Sequence, residues 1–351
     1  MIVKNDWLEE PVFILSIGKT GTTLLIALFD GHEELVVIPE ETDFFCAVYT
    51  PLGMICANPL LSKKKKIDKI FDLMVHGTHL HVLNKGKREK SFAKDNYDYT
   101  DFDFATFESE VKGYLSRTNL ELNNILKSVP YAFAKSNKID TSKLNLWIEK
   151  TPYHLHNVDN KVNELEKAFP KAKFIHIFRD PIDNYIAYKK KDNEKWSTNK
   201  FIYDFKRNVR ITKENQGKQN HYMIKYEDIV VNTQSTLESL TSFLDIANKE
   251  SLIQPTKHGI PWEGNSVETS QFKGISTSSL DKHLKYKNKE ELKYIEFYLQ
   301  EELAFLNYSI KYLKEEDSFS GYEGYPAERR KEDALTRVKT GVHQLFTKAI
   351  Y

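Results

Sequence analysis

The sequence has two cysteines, Cys46 and Cys56, in 351 residues. Two thiols build neither a disulfide framework nor a cysteine-rich zinc site, and such sparing use suits a reducing cytosol. Charge of one sign is also lacking. The 51 basic and 50 acidic side chains leave a formal net charge of +1. A nucleic-acid partner normally leaves a larger basic excess, so none is expected. No stretch of about 18 apolar residues occurs, so no membrane-spanning helix is expected. The start of the chain carries Asp6, Glu9 and Glu10 before a short apolar run, without a basic region or cleavage site. No signal peptide is therefore expected, and the protein reads as soluble and cytoplasmic. No Gly-x-Ser-x-Gly elbow is present, which argues against a serine hydrolase. No period of roughly 20–50 residues repeats, which argues against a solenoid.

What is present is a recurring order of strand, turn and helix. Val12–Ile17 is a short apolar, β-branched run. The turn Gly18–Gly21 follows, then a helical stripe of Leu24, Leu25, Leu28 and Phe29. Gly31 stands where a helix C-terminus favours positive φ. Leu35–Ile38, Leu144–Ile148, Lys173–Phe178 and Tyr222–Tyr226 read as further strands. Val162, Leu165, Ala168 and Phe169 mark a helix stopped by Pro170, and Ser235 with Glu238 suggests a capping box. Strands alternating with helices predict an α/β fold with a central parallel sheet covered on both faces. Ligands of such sheets sit beyond the carboxyl ends of the strands.

Residues 43–140 differ, being rich in aromatics and lysines with helical stretches. They are read as a largely helical insertion over the sheet that shapes an acceptor pocket. Within it, Lys63–Lys66 reads as a solvated loop. Ser318–Pro326 breaks the pattern, and Leu335, Val338, Val342, Leu345 and Phe346 mark an amphipathic C-terminal helix that packs on the body or on a second subunit. The expected organisation is one domain over 1–313, then a linker and helix over 314–351.

Chemistry concentrates at strand ends. Ser16–Thr23 joins the first strand to the first helix. Gly18 and Gly21 permit a tight turn, Thr20, Thr22 and Thr23 add hydroxyl donors, and the helix aims its positive end at the same place. Lys19 adds a full charge. Together these residues form an anion cradle. It is not a nucleotide-triphosphate loop, whose lysine follows the second glycine. Arg179 ends a strand, where a guanidinium suits bidentate phosphate binding; an ion pair with Asp180 or Asp183 is the plain structural alternative. His76, His79 and His81 cluster, and His154 and His156 lie two apart, but neither spacing completes a zinc pattern, so no metal is expected.

The run Lys19-Thr-Gly-Thr-Thr23 resembles the 5′-phosphosulfate loop of sulfotransferases that use 3′-phosphoadenosine 5′-phosphosulfate (PAPS). The likeness continues through Leu24-Leu25, Asp30, His32 and Glu40-Glu41-Thr42, then Trp147-Ile-Glu-Lys-Thr-Pro152, Phe169 to Asp183, Tyr226-Glu-Asp-Ile229, Gly264-Asn-Ser266 and Gly274-Ile-Ser276. In these blocks the chain resembles bacterial, tyrosylprotein and heparan-type members of the family. The resemblance implies a P-loop-like three-layer fold and transfer of a sulfuryl group from PAPS to an acceptor hydroxyl, leaving 3′-phosphoadenosine 5′-phosphate (PAP), with no metal required. The acceptor could be a sugar, lipid, phenol or peptide tyrosine.

The resemblance also implies residue roles. Lys19, Thr20, Gly21, Thr22 and Thr23 would hold the phosphosulfate end. Arg179 would grip the 3′-phosphate, with Tyr226 beside the nucleotide. Ser266, Lys273 and Gly274 would belong to a loop wrapping the 3′-phosphate and adenine. Lys19 and Lys150 would stabilise the leaving phosphate. The base would be Glu41 or Glu40, and the sequence does not choose between them; His154 is the rival. One departure is Ala187, where the family usually has a serine contacting the 3′-phosphate, and Asn184 or Tyr188 are candidates to compensate. Two alternatives stand beside this reading: a non-catalytic PAP-binding homologue, and a nucleotide-dependent small-molecule kinase.

Overall fold

The computed structural model describes residues 6–42, 49–85, 99, 101–150, 161–191, 197–262, 264 and 274–322. Five strands form one parallel sheet: β1 (Pro11–Leu15), β2 (Leu35–Val37), β3 (Leu146–Lys150), β4 (Lys173–Phe178) and β5 (His221–Lys225), in the order β2-β3-β1-β4-β5. Each falls within two residues of an expected strand. The apolar runs of β1 and β2 suit strands covered on both faces, whereas β5 at the edge is only partly buried. All five residues of β1 are buried, as are all five of β3. Pairing of Val12 with both Ile148 and Lys173 places β1 at the centre.

Alternation along each strand divides the core. Val12, Ile14, Ile148 and Ile175 face one cluster with α1 (Thr22–Phe29). Phe13, Leu15, Trp147 and Phe174 face the other, with helices α2 (Tyr49–Ala57), α3 (Lys63–His76), α4 (Val82–Lys85), α5 (Phe104–Arg117), α6 (Leu122–Ser136) and α7 (Lys161–Ala168) following in the chain. The chain continues through α8 (Pro181–Lys191), α9 (Thr198–Glu214), α10 (Tyr226–Val231), α11 (Thr233–Leu244), α12 (Lys289–Tyr298) and α13 (Gln300–Phe305). Helices α10 and α11 join the α1 face. Helices α8, α9, α12 and α13 build a third cluster around Phe178, Phe201 and Phe205. A small hairpin, β6 (Thr256–Lys257) with β7 (Ile260–Pro261), stands apart from the main sheet.

The chain crosses from β1 to β2 on one side of the sheet and from β3 to β4 on the other. The crevice at such a reversal lies beyond the carboxyl ends of the central strands. Among the described residues between 49 and 136 the elements are all helical.

Two local expectations are corrected. Lys63–Lys66 is not a loop but the first turn of α3, capped by Ser62, whose side chain accepts from the Lys65 N–H. Lys63 donates to the carbonyls of Ser116 and Thr118 at 2.8 Å each, tying α3 to the end of α5. Ser235 and Glu238 do not form a capping box. Helix α11 begins two residues earlier, after Asn232, so Ser235 lies inside its first turn and donates back to the Asn232 carbonyl. The amphipathic pattern over 335–346 lies outside the described residues, as do Cys46, His154 and His156. Among the described residues no helix is long and apolar enough to cross a membrane.

Candidate functional site

The turn after β1 is braced from within and from behind. Lys19 has φ 68° and Gly21 φ 96°, so two left-handed residues fold the chain back before α1. The Thr20 hydroxyl turns inward, 2.6 Å from Ser16 Oγ and 3.2 Å from the Ile17 carbonyl, and both side chains are fully buried. Of the three threonines expected to offer hydroxyls, Thr20 thus spends its own on the turn. Asn184 Nδ2 donates to the Gly18 carbonyl at 2.9 Å. Arg179 Nη1 donates to the Lys19 carbonyl at 3.4 Å. These contacts draw the turn's carbonyls toward β4 and α8.

Gly21 carries a second constraint. A Cβ built there would lie 2.2 Å from Tyr226 Cδ2. The tyrosine, first residue of α10, lays its ring directly on the turn. Its other neighbour is Arg179, whose guanidinium stands 4.9 Å from the ring centroid. Gly21→Ala should therefore displace Tyr226 as well as strain the backbone. The strain alone is expected to cost about 1–3 kcal/mol, measurable as a lower urea midpoint.

Arg179 pairs with neither nearby aspartate. Asp180 caps α8 through the N–H groups of Ile182 and Asp183, and its other oxygen meets Lys311 Nζ at 2.8 Å. Asp183 accepts from the N–H groups of Asp281 and His283 and from His283 Nδ1. Glu227 receives the Asp180 N–H and the Tyr308 hydroxyl, and burial pushes its carboxyl above the usual carboxylate range. Arg179 instead donates to the carbonyls of Lys19 and Ser279, while its buried Nε has no hydrogen-bond partner. Asn184 Oδ1 is likewise buried without a partner. A buried donor left unsatisfied beside an anion turn is what a phosphate oxygen would satisfy.

A second group forms across β1. Lys150, the last residue of β3, donates to Glu41 Oε1 at 2.8 Å and to Thr23 Oγ1 at 3.1 Å. The Lys150 side chain is 6% exposed and that of Glu41 17%, so the pair sits just under the surface. Lys150 does not pair with its neighbour Glu149. Adjacent strand residues face opposite sides, and Glu149 accepts the Thr42 hydroxyl on the other face. Glu40 is separate again. It is buried, meets Lys257 Nζ at 2.7 Å and accepts from the Tyr99 hydroxyl at 2.9 Å.

The structure therefore brings Lys19, Gly21, Arg179 and Tyr226 together at one corner, and Thr23, Glu41 and Lys150 at the other. Thr22 is buried at the start of α1. Glu40 stands apart with Lys257. Gly274 is described, with φ 77°; Ser266 and Lys273 lie outside the described residues. Ala187 is half-buried on α8, one turn beyond Asn184.

Three residues were missed from sequence. Ser279 receives Arg179 on its carbonyl and bonds the Tyr226 hydroxyl through its own. The Ser276-Thr-Ser-Ser279 run hinted at it, but the family resemblance ended at Ser276. Tyr99 and Lys257 gave no signal. Among the described residues, ligand atoms of Asp183, Asp281 and His283 lie within 4.8 Å of one another. The Asp183 oxygens there serve the turn at 281–283, so the group reads as structural.

The sulfotransferase family model matches residues 11–250. No curated protein matches the chain. Among solved structures, it is similar to the sulfotransferase domain of the Synechococcus PCC 7002 olefin synthase. Identity is 18%, with 86% of this chain and 96% of that one covered and a TM-score of 0.47. The sulfotransferase domain from the curacin biosynthetic pathway gives 17% identity over 86% and 98%, with a TM-score of 0.46. Retinol dehydratase in complex with androsterone and inactive cofactor PAP gives 13% over 88% and 85%, with a TM-score of 0.38.

Proposed function

The chain belongs to the sulfotransferase family, and on that premise we propose that it transfers a sulfuryl group from PAPS to an acceptor hydroxyl. PAPS would bring the activated sulfuryl group and leave as PAP. The observation that carries this reading is the convergence of cations and an anion turn at the carboxyl ends of three adjacent strands. Lys150 ends β3, the turn around Lys19 follows β1, and Arg179 closes β4.

In this reading the turn and the α1 N-terminus hold the 5′ end of the donor. Arg179 holds the 3′-phosphate and supplies its unpartnered Nε. Tyr226 offers a ring face beside the nucleotide. The acceptor oxygen attacks sulfur in line. Its new bond to sulfur forms as the bond from sulfur to the bridging phosphate oxygen breaks. The acceptor proton passes to the Glu41 carboxylate, and the electron pair leaves on the phosphate. Lys150 and Lys19 stabilise the charge that gathers there. Glu41 is favoured over Glu40 because it shares Lys150 with Thr23 of the anion turn, whereas Glu40 is engaged by Lys257 and Tyr99. The helical region 49–136 would cover the acceptor, and 1–313 would form the catalytic domain.

Two measurements test this. PAP should raise the melting temperature by several degrees without magnesium, as a ligand of the native state does. Stabilisation by Mg-ATP alone would overturn the reading in favour of a kinase. Labelled sulfate should pass from PAPS to a member of a panel of sugar, lipid, phenol and tyrosine-peptide acceptors. PAP binding without transfer to any hydroxyl would leave a non-catalytic homologue.

A further inference from the structure

We propose that Lys257 is a positioning residue that fixes Glu41 for proton transfer by anchoring its neighbour Glu40. The inference rests on the reading of Glu41 as the base.

After β2 the chain makes one more ladder bond, from the Ile38 N–H to the Ile148 carbonyl at 3.1 Å. Pro39 follows, its missing N–H on the side of β2 away from β3, and the chain has by then left the strand, which ends at Val37. Side chains must hold the next stretch of backbone, and three consecutive ones do. Glu40 reaches Lys257, Glu41 reaches Lys150, and Thr42 reaches Glu149. The last two ties go to the same strand, β3. The tie from Glu40 fastens the segment to a different part of the fold.

That other anchor is rigid. Lys257 ends β6 in a hairpin whose turn, His258-Gly259, has φ 56° and 77°, the left-handed pair of a tight two-residue turn. Asp30, at the end of α1, receives both the Thr256 hydroxyl and the Gly259 N–H on one carboxylate oxygen, at 2.8 Å each. His258 Nε2 lies 2.5 Å from Asn137 Oδ1, at the end of α6. The hairpin is thus bound to the C-terminal ends of two helices, α1 and α6. From it Lys257 extends into the interior, where its side chain is 8% exposed and that of Glu40 4%.

A buried ion pair is a weak source of net stability, because desolvation offsets much of the attraction. Its best-attested value is in fixing one arrangement over others. Here, with Tyr99 on the same Glu40 oxygen, it fixes the direction of the residue before Glu41. Misplacing a reacting group by about an ångström can cost a hundredfold in rate. Lys257 lies beyond residue 250, where the family match ends.

The test uses the full chain, PAPS and the acceptor found in the transfer panel. Lys257→Met should lower kcat by about 10–100-fold while KM for PAPS and the affinity for PAP stay within about twofold. Lys257→Arg should recover most of the activity. A crystal structure of Lys257→Met should show the Glu41–Lys150 contact opened beyond hydrogen-bond distance. A folded Lys257→Met protein with kcat near the parent's, or with kcat and PAP affinity falling together, would overturn the proposal. Should Lys257→Met fail to fold, Glu40→Gln/Lys257→Met removes the stranded charge and is judged by the same split. Glu41→Gln is the reference. If it keeps full activity the base assignment fails, and if it alone loses activity only the role of Lys257 fails.

Discussion

Arg179→Ala is expected to weaken PAP binding by about 30-fold or more. Truncating one side of a buried, hydrogen-bonded charge pair typically costs about 2–5 kcal/mol, and each 1.4 kcal/mol is a factor of about ten in affinity. Arg179 is 5% exposed, and its guanidinium is already aligned by the Lys19 and Ser279 carbonyls and by the Tyr226 ring. Little side-chain entropy remains to be lost when a phosphate arrives. The substitution also releases the Ser279 carbonyl, so the 274–281 segment should loosen. Calorimetric titration with PAP measures the first effect and hydrogen exchange at 274–281 the second. Arg179→Lys keeps the charge but not the fork, and should recover only part of the affinity. Undiminished PAP binding by Arg179→Ala would remove the second anion corner from the site.

The other large effect is expected on turnover. Glu41→Gln keeps the shape of the side chain and an acceptor for Lys150, but it removes the carboxylate proposed as the proton acceptor. A general base contributes about 10²–10⁴-fold, so kcat should fall by that factor with KM for PAPS nearly unchanged. Glu40→Gln should behave differently. It leaves the Lys257 ammonium buried against a neutral amide, so stability should drop, by an amount on the order of 3 kcal/mol. Its turnover should fall less than that of Glu41→Gln. Steady-state kinetics and urea unfolding on both variants separate the two roles. If Glu40→Gln abolished turnover and Glu41→Gln spared it, the assignment would have to be reversed.

The contrast between these glutamates shows where reading a single sequence stops. Both were legible as carboxylates at a strand's carboxyl end. Which of them meets Lys150 depends on a one-residue alternation just past β2, where the chain has left the strand and no ladder register fixes it. The strands were legible because burial on both faces demands apolar runs, as in Pro11–Leu15 and Lys173–Phe178. The anion turn was legible because it is local, with Gly18, Lys19 and Gly21 all within six residues. What stayed hidden is tertiary. Glu40 and Lys257 are 217 positions apart, and Arg179 and Ser279 are 100 apart. The misread at Ser235 has a different cause. A capping box also requires the helix to start there, and α11 begins at Thr233.

The sheet order has one further consequence. With β1 between β3 and β4, Lys150 and Arg179 are held two strand intervals apart, about 10 Å. Hydrogen-bonded backbone sets that ruler, and side-chain exchange in the surrounding helices does not alter it. Helices α2 to α6 enter between β2 and β3, on one flank of the ruler. On the proposed reading, a chimaera that exchanges residues 49–136 for those of a relative should thus keep its grip on the nucleotide while changing its choice of acceptor.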